Sequence, residues 1–156
     1  MNKQINAIFL CIENRARSQM AEALLRHFAG DRFAVYSAGF DPSPIHPLVY
    51  QVMEEEGLDL EGHYPKSVYD FLNKLHFGYV ITVCEKAEKK CPIFPGVGRR
   101  MFWPVEDPVA FEGSAEEALE KFREARDQLK QHILGWLDDL DTESDIGPTI
   151  KLDSRG

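Results

Sequence analysis

Short apolar runs alternate with amphipathic segments along the first hundred residues of the chain. Four of these runs are typical of buried strands: INAIFLC (5–11), FAVYSAG (33–39), YVITVC (79–84) and RMFWPV (100–105). Between strands the spacing of apolar residues predicts helices, which are SQMAEALLRHFA (18–29), LVYQVMEEEG (48–57) and SVYDFLNKL (67–75). This alternation predicts an α/β fold with three layers, in which a four-stranded parallel sheet is flanked by helices.

The clearest predicted element is a long helix near the end of the chain. Ser114 and Glu117 form a capping-box pattern. An apolar stripe at helical spacing follows, made of Ala115, Ala118, Phe122, Leu129, Ile133, Trp136 and Leu140. After Leu140 the sequence becomes acidic and aperiodic. We therefore expect a single domain over residues 1–140 and a flexible acidic tail over residues 141–156.

Composition and charge narrow the classes of function. The chain has 156 residues, of which 44% are hydrophobic and 28% charged, as in an ordinary globular domain. A net charge of -8 argues against a general surface for nucleic acid or membrane, so an anion must be bound locally by a few donors. No apolar segment approaches the roughly 18 residues of a membrane span. Three cysteines, with no convincing signal peptide, indicate a reducing cytoplasm and reactive thiols.

The stretch FLCIENRARSQM (9–20) carries the most informative local pattern. Cys11 ends the first strand, and a short polar loop leads to Arg17 and Ser18 at the start of a helix. Such a loop directs backbone N–H groups toward one point and binds tetrahedral oxyanions, and Arg17 adds a planar fork of donors. We expect these donors to lower the pKa of Cys11 toward the range of about 3.5–7.5 of activated thiols. Ser18 would cap the helix or donate to the thiolate. The expected oxyanion loop is Cys11, Ile12, Glu13, Asn14, Arg15, Ala16, Arg17 and Ser18, with Asn14 suited to a left-handed turn.

Simpler interpretations of the same residues stay open at this point. A cysteine in an apolar strand is usually an inert core residue, and an Asp-Pro pair such as Asp107–Pro108 is most often only a turn. Cys84 and Cys91 lie seven residues apart, wider than the usual spacing of zinc ligands, and we expect no metal there. A disulfide between them would need the segment to bend, because the Cα atoms must come within about 7 Å.

The stretch IFLCIENRARSQMAEALLRHFAG resembles the N-terminal signature of the low-molecular-weight tyrosine phosphatase superfamily. RSQMAEALL and YSAGF are more similar to its thioredoxin-coupled arsenate reductase branch, and the likeness runs from Ile5 to about Leu137. The resemblance implies a catalytic domain in which Cys11 is the nucleophile, Arg17 grips the oxyanion and Asp107 is the general acid, with no cofactor. It also implies that Cys84 and Cys91 carry a disulfide outward from Cys11 to thioredoxin, whereas plain phosphatases lack this pair.

Three positions depart from sequences that are common in the superfamily. Glu13 stands where a glycine is frequent, and Ala16 stands where a second loop cysteine is frequent, so no disulfide can form inside the loop. Lys66 lies near the position where some relatives have an aspartate that helps to bind a potassium ion. The other positions of that cation site are retained as Asn14, Glu22 and Ser37. We therefore expect a lysine ammonium to stand in for the metal.

Three functional hypotheses compete. The first is a cytoplasmic arsenate reductase that thioredoxin, or a low-molecular-weight thiol, regenerates, with residual phosphatase activity. The second is a phosphatase for phosphotyrosine or small phosphate esters, and the third is a redox sensor or oxyanion-binding module without turnover. Val109 and Ala110 follow the Asp-Pro pair where phosphotyrosine phosphatases carry aromatic residues, with Phe111 one position further. This difference favours a small inorganic oxyanion, arsenate or phosphate, and hence the first hypothesis.

Overall fold

A computed structural model describes residues 4–91 and 98–146 of the chain. Four strands form one parallel sheet: β1 (Ile5–Cys11), β2 (Phe33–Gly39), β3 (Tyr79–Thr82) and β4 (Arg99–Phe102). Their order across the sheet is β2-β1-β3-β4, which confirms the predicted four-stranded parallel sheet. Because β1 has β2 on one side and β3 on the other, its carboxyl end lies at a topological switch point, where α/β proteins bind ligands. Cys11 is the last residue of that strand.

Four helices accompany the sheet. They are α1 (Arg17–Ala29), α2 (Pro47–Glu54), α3 (Glu85–Lys90) and α4 (Ala115–Ile146). The predicted capping box of α4 is present, since Ser114 Oγ accepts from the N–H of Glu117 at 3.1 Å and Glu117 Oε1 accepts from the N–H of Ser114 at 3.0 Å. No helix within the described ranges is long and apolar enough to cross a membrane.

Helix α4 is longer than its apolar stripe indicated. It continues through residues 141–146, the first part of the segment predicted as a flexible tail. The first helix-breaking pair of the segment, Gly147–Pro148, comes only afterwards, so nothing in the sequence stops the helix at Leu140. Arg32 also binds the continuation, with its Nη1 2.9 Å from Asp141 Oδ1. Residues 147–156 of the predicted tail lie outside the described residues.

The predicted helix over residues 67–75 is wrong. Only Val68–Asp70 is helical, as a single 3-10 turn. Ser67 caps this turn, with its Oγ accepting from the N–H of Tyr69 at 3.2 Å, and the Asp70 carboxylate returns to the N–H of Ser67 at 3.4 Å. Asn73 then takes a left-handed conformation with φ 67°, which a continuous helix cannot contain. The apolar spacing of this stretch therefore serves packing against the sheet without a regular helix.

Two apolar clusters cover the two faces of the sheet. Successive side chains of a strand point to opposite faces, so Phe9 and Cys11 of β1 join the first cluster while Ile8 and Leu10 join the second. Apolar residues of α1, α2 and α4 complete the first cluster. The second cluster also contains Ala38, Val68, Phe77 and Val80, and Cys91 packs against it. The sheet is therefore the middle of three layers, with helices on one face and mostly irregular chain on the other.

Ion pairs between one glutamate and two arginines connect α4 to the end of α2. Glu55 accepts hydrogen bonds from Arg123 Nη2 and from Arg126 Nη1, both at 2.7 Å, and Arg126 Nη1 also donates to the carbonyl oxygen of Val52 at 2.9 Å. The hydrogen bonds from Arg123 and then Arg126 lower the pKa of Glu55 to about 2. This attachment holds the helical layer over the sheet.

Candidate active site

Cys11 lies at the floor of the loop between β1 and α1. Its side chain is buried, and its Sγ is 2.7 Å from Ser18 Oγ and accepts from the N–H of Asn14 at 3.2 Å. Ala16 occupies the N-cap position of α1 and makes no side-chain capping bond. Of the two roles considered for Ser18, the structure therefore shows the contact with the sulfur and not the cap.

The backbone of the loop is oriented by the segment that follows β2. The carbonyl oxygens of Ile12, Glu13 and Arg15 accept hydrogen bonds from N–H groups within residues 41–46 at 2.8–3.0 Å. Because these carbonyl groups point outward toward that segment, the N–H groups of the loop can point inward, as in backbone sites that bind anions. Gly39 permits the close packing, because a Cβ atom there would lie only 2.6 Å from the carbonyl oxygen of Ile12.

Asn14 shapes the loop from beneath. It takes the left-handed conformation predicted for it, with φ 52°. Its Nδ2 donates to Ser18 Oγ at 2.8 Å and to Ser37 Oγ at 3.0 Å, while its Oδ1 accepts from the N–H of Lys66 at 2.8 Å. Gln19 Nε2 donates to both the carbonyl oxygen and the Oδ1 of Asn14 at 3.0 Å. Gln19 is a site residue that the sequence did not reveal, because a polar side chain within a helix is usually exposed, whereas Gln19 is fully buried.

The expectation that the loop lowers the pKa of Cys11 is wrong for this structure. Burial raises the pKa of the Cys11 thiol, and the hydrogen bond with Ser18 and the charge of Arg17 act in the opposite direction without outweighing burial. The nearby Cys84 raises the pKa further. Burial therefore disfavours the thiolate form of Cys11 in this structure.

Arg17 and Asp107 meet at the side of the same loop. Arg17 Nη1 donates to the carbonyl oxygen of Val105 at 2.7 Å, and its Nη2 lies 3.6 Å from Asp107 Oδ2. Asp107 in turn caps the 3-10 turn Pro108–Ala110, with its Oδ1 accepting from the N–H of Val109 at 3.0 Å. The structure therefore brings the two predicted residues together, with a partly exposed carboxylate beside a guanidinium.

An open cleft of about 580 Å³ lies above Cys11. Its lining consists of Cys11, Ile12, Glu13, Arg15, Ala16, Arg17, Cys84, Glu85, Lys86, Asp107, Val109 and Ala110. Asn14 and Ser18 are fully buried beneath it. Phe111 is not part of the lining, and its ring instead packs below the Lys121 ammonium of α4, 5.5 Å away. Among the described residues, no aromatic side chain lines the cleft.

The three cysteines occupy two different places. Cys84 is buried beside the cleft at the start of α3, where its Sγ accepts from the N–H of Ala87 at 3.4 Å. Cys91 follows the end of α3 and is half-buried against the second cluster. Burial raises the pKa of Cys91, with Arg100 opposing this and Glu88 adding to it. None of the three forms a disulfide in the structure. The structure thus places Cys11 and Cys84 in one site and Cys91 outside it.

The cation position that the sequence suggested holds an ammonium. Lys66 Nζ donates to the carbonyl oxygen of Tyr64 at 2.8 Å and lies 3.4 Å from Glu22 Oε1, which also accepts from Ser37 Oγ at 2.5 Å. Burial opposes ionisation of Glu22, but Lys66 and Ser37 outweigh it and lower the pKa of the carboxyl. Burial likewise lowers the pKa of Lys66, and Glu22 opposes this. These residues do not fit a potassium ion, because the ammonium takes its place beside Glu22. Within residues 4–91 and 98–146 no cluster of three or more His, Cys, Asp or Glu side chains is arranged to hold a metal ion.

A buried cysteine in a strand-to-helix loop, with an arginine and an aspartate at its rim, is the arrangement that the resemblance to the low-molecular-weight phosphatases implied for the catalytic site. Residues 6–145 match the family model of the low molecular weight phosphotyrosine protein phosphatases, and the chain belongs to this family. Its relatives within the family include arsenate reductases. The arsenate reductase of Shouchella clausii (strain KSM-K16) is 37% identical over 134 residues, which are 85% of this chain and 94% of the relative.

Solved structures agree with this placement. The structure of an arsenate reductase in the phosphate binding state superposes with a TM-score of 0.74 at 28% identity, covering 87% of this chain and 98% of that one. The thioredoxin-dependent arsenate reductase of Corynebacterium glutamicum gives a TM-score of 0.60 at 32% identity, covering 85% of this chain and 63% of that one. The family inferred from the loop sequence and the α/β fold predicted from the alternation of strands and helices are confirmed.

Proposed function

We propose that the protein is an arsenate reductase in which Cys11, Cys84 and Cys91 pass a disulfide outward to thioredoxin. The observation that carries this proposal is the position of Cys84, which lines the same cleft as Cys11 while Cys91 lies at the other end of one short helix. A hydrolytic phosphatase needs one thiol in its cleft, whereas a reductase needs a second within reach of the first. The relatives named arsenate reductase support the same conclusion.

In the first step arsenate binds to the loop N–H groups and Arg17. The Cys11 sulfur attacks arsenic and an As–O bond breaks, while Asp107 protonates the departing hydroxyl oxygen, which leaves as water. The proton of the Cys11 thiol passes to an oxygen of the bound oxyanion. Asp107 can reach a departing oxygen because it lines the same cleft as Cys11, and its partial exposure lets it take up a proton from solvent between turnovers.

In the second step the Cys84 thiolate attacks the Cys11 sulfur. The S–As bond breaks and its electron pair stays on arsenic, which leaves as arsenite, so arsenic gains the two electrons that the two thiols lose. Cys91 then attacks the Cys84 sulfur, and Cys11 leaves as a thiolate. The two thiols of thioredoxin reduce the resulting Cys84–Cys91 disulfide. A reducing cytoplasm is the compartment that supplies this partner.

The phosphatase hypothesis is the second candidate, because the oxyanion loop and the acid suit phosphate esters as well. The absence of aromatic side chains from the described cleft lining leaves nothing to grip a phosphotyrosine ring, with Val109 and Ala110 in the relevant positions. We expect slow hydrolysis of a small aryl phosphate as a residual activity. A redox sensor or oxyanion-binding module would show neither activity.

A coupled assay tests the proposal directly. Consumption of NADPH is followed with arsenate, thioredoxin and thioredoxin reductase, and sustained turnover is expected. Cys91→Ser should release about one arsenite per enzyme and then stop with Cys11 and Cys84 joined, as peptide mapping would show. Hydrolysis of an aryl phosphate by the same variant is the control, since it does not involve Cys91 and should be unchanged. Continued turnover of Cys91→Ser through thioredoxin would overturn the relay. Sustained hydrolysis of the aryl phosphate by the wild-type protein, without arsenate reduction, would favour the phosphatase hypothesis.

A further inference from the structure

Helix α3 keeps Cys84 and Cys91 too far apart to react. The helix contains six residues, Glu85–Lys90, with one cysteine before it and the other after it. At a rise of about 1.5 Å per residue, the Cα atoms of the two cysteines are separated by about 10 Å or more. A disulfide requires Cα atoms within about 7 Å. The helix must therefore unwind before Cys91 can reach Cys84.

Glu88 ties this helix to two strands of the sheet. Its Oε1 accepts a hydrogen bond from Thr82 Oγ1 at 2.6 Å, and Thr82 lies on β3 with no exposure to solvent. Arg100 Nη2, on β4, donates to the same Oε1 at 3.3 Å and to the carbonyl oxygen of Glu88 at 2.9 Å. One residue of α3 is thus held through both its side chain and its main chain.

The other exposed side chains of α3 provide no comparable restraint. Glu85, Lys86, Lys89 and Lys90 are exposed, and only Ala87 is fully buried. A segment of this polarity can leave its helix with little loss of buried apolar area. Unwinding it nevertheless breaks the contacts of Glu88, including charge-assisted hydrogen bonds, which are stronger than neutral ones.

We propose that Glu88, Thr82 and Arg100 form a latch that keeps α3 folded and so determines when Cys91 reaches Cys84. The inference rests on the proposed disulfide relay, in which the Cys84–Cys91 bond forms as the Cys11–Cys84 bond breaks and Cys11 leaves as a thiolate. That exchange involves no net oxidation, so the latch acts on access and not on the balance of electrons. The latch keeps Cys84 reduced until arsenate has reacted, because an early Cys84–Cys91 disulfide would remove the thiol that attacks Cys11.

The folded state of α3 also disfavours the thiolate of Cys91, which is its reactive form. Burial raises the pKa of this thiol, Arg100 opposes the effect and the Glu88 carboxylate reinforces it. Departure of α3 from the sheet removes the burial and the carboxylate together. The same opening that brings Cys91 nearer to Cys84 thus favours its thiolate.

A variant that lacks Cys11 tests the latch without any arsenate chemistry. In the Cys11→Ser background only Cys84 and Cys91 remain, and the rate at which diamide joins them reports how often α3 opens. Thr82→Val and Glu88→Gln should each speed this reaction about tenfold, the effect of losing one charge-assisted hydrogen bond. Thr82→Ser, which keeps the hydroxyl, should react at the parental rate. Lys89→Gln is the matched control, because it changes one charge on an exposed position of the same helix.

Hydrogen exchange separates a released latch from general unfolding. Amides within residues 86–90 should exchange faster in Thr82→Val and Glu88→Gln, while those of β1 and α1 keep their protection. Disulfide formation at the Lys89→Gln rate in both latch variants would overturn the proposal, as would equal loss of protection throughout the sheet. The test is independent of the proposed function, since an enzyme that fails to reduce arsenate would still show the accelerated oxidation.

Discussion

Asp107 combines a local structural role with a proposed chemical one. Its carboxylate caps the 3-10 turn that follows it and lies beside Arg17 at the cleft. Asp107→Asn keeps an oxygen that can accept from the N–H of Val109 but has no proton to donate. We expect kcat for arsenate to fall by roughly 10²–10⁴-fold, the usual contribution of a positioned general acid. A pH-rate profile should also lose its alkaline limb, and an alkaline limb that stays unchanged would assign the acid to another group.

Lys66 is the second residue whose role the structure makes testable. Its ammonium is buried beside Glu22, and Arg26 contacts the other oxygen of that carboxylate at 2.6 Å. Lys66→Met should lower the free energy of unfolding by about 3 kcal/mol, the low end for breaking a buried ion pair, because Arg26 remains. Urea denaturation measures this loss.

The matched control removes both charges. In the double variant Glu22→Gln/Lys66→Met no buried carboxylate is left without its ammonium, so most of the lost stability should return. Equal destabilisation of the single and double variants would mean that Lys66 contributes through packing alone.

Exchange of potassium for sodium in the buffer should leave arsenate reduction by the wild-type protein unchanged.

Sequence reasoning succeeded at single residues where the local backbone decides the outcome. The left-handed turn at Asn14 follows from the conformational preference of asparagine, and α1 begins at Arg17, next to the predicted start at Ser18. The pKa of Cys11 could not be read in the same way, because its direction depends on how deeply the fold buries the sulfur. Gln19 was missed because its partners, Asn14 and the carbonyl oxygen of Tyr64, come together only in the folded chain.

At the scale of elements, Glu55 controls how α2 and α4 stay together in acid. Its pKa of about 2 lies below the ordinary value of about 4.3 for glutamate, so the native state stabilises the ionised form. This stabilisation is present above pH 4.3 and is lost as the pH falls toward 2. Glu55→Gln should therefore cost about 1 kcal/mol at neutral pH, since partly exposed ion pairs contribute little, and the difference from wild type should shrink below pH 4.3.

Chemical denaturation at a series of pH values checks this expectation. Glu54→Gln, an exposed glutamate of the same helix, is the control. A difference between wild type and Glu55→Gln that does not change between pH 7 and pH 3 would exclude Glu55 as the source of the acid sensitivity.

Element boundaries were predictable only where local signals agree with packing. The capping box of α4 was identified at Ser114, whereas its far end was placed too early because loss of the apolar stripe does not by itself end a helix. The stretch 67–75 carries helical spacing, but the left-handed Asn73 interrupts it. Periodicity reports which side chains face the core and is insensitive to one residue of unusual backbone conformation.

At the scale of the whole molecule, the net charge of -8 means that the proposed oxyanion site must work against the overall charge of the protein. Binding to the native state alone raises stability by about 2.7 kcal/mol at 100 times the dissociation constant, or roughly 5–10 °C in Tm for a chain of this size. Phosphate should therefore raise the Tm of the wild-type protein at constant ionic strength. Arg17→Lys should lose most of the shift, because an ammonium cannot hold two oxygens in one plane.

Differential scanning fluorimetry with phosphate against sodium chloride of equal ionic strength measures this shift. Lys89→Gln, which changes an exposed residue that does not line the cleft, should respond like the wild type. An equal rise in Tm for Arg17→Lys would show that phosphate stabilises the protein by a general salt effect.

The sheet has one more consequence for the proposed reaction. Helix α3 lies between Cys84, a member of the first cluster, and Cys91, which packs against the second. Under the proposed relay Cys91 leaves the second cluster when α3 unwinds, so oxidation that begins at Cys11 ends in a segment released from the sheet. Thioredoxin would then reduce the Cys84–Cys91 disulfide away from the cleft, and Cys11, which leaves the exchange as a thiolate, would be free to bind another arsenate.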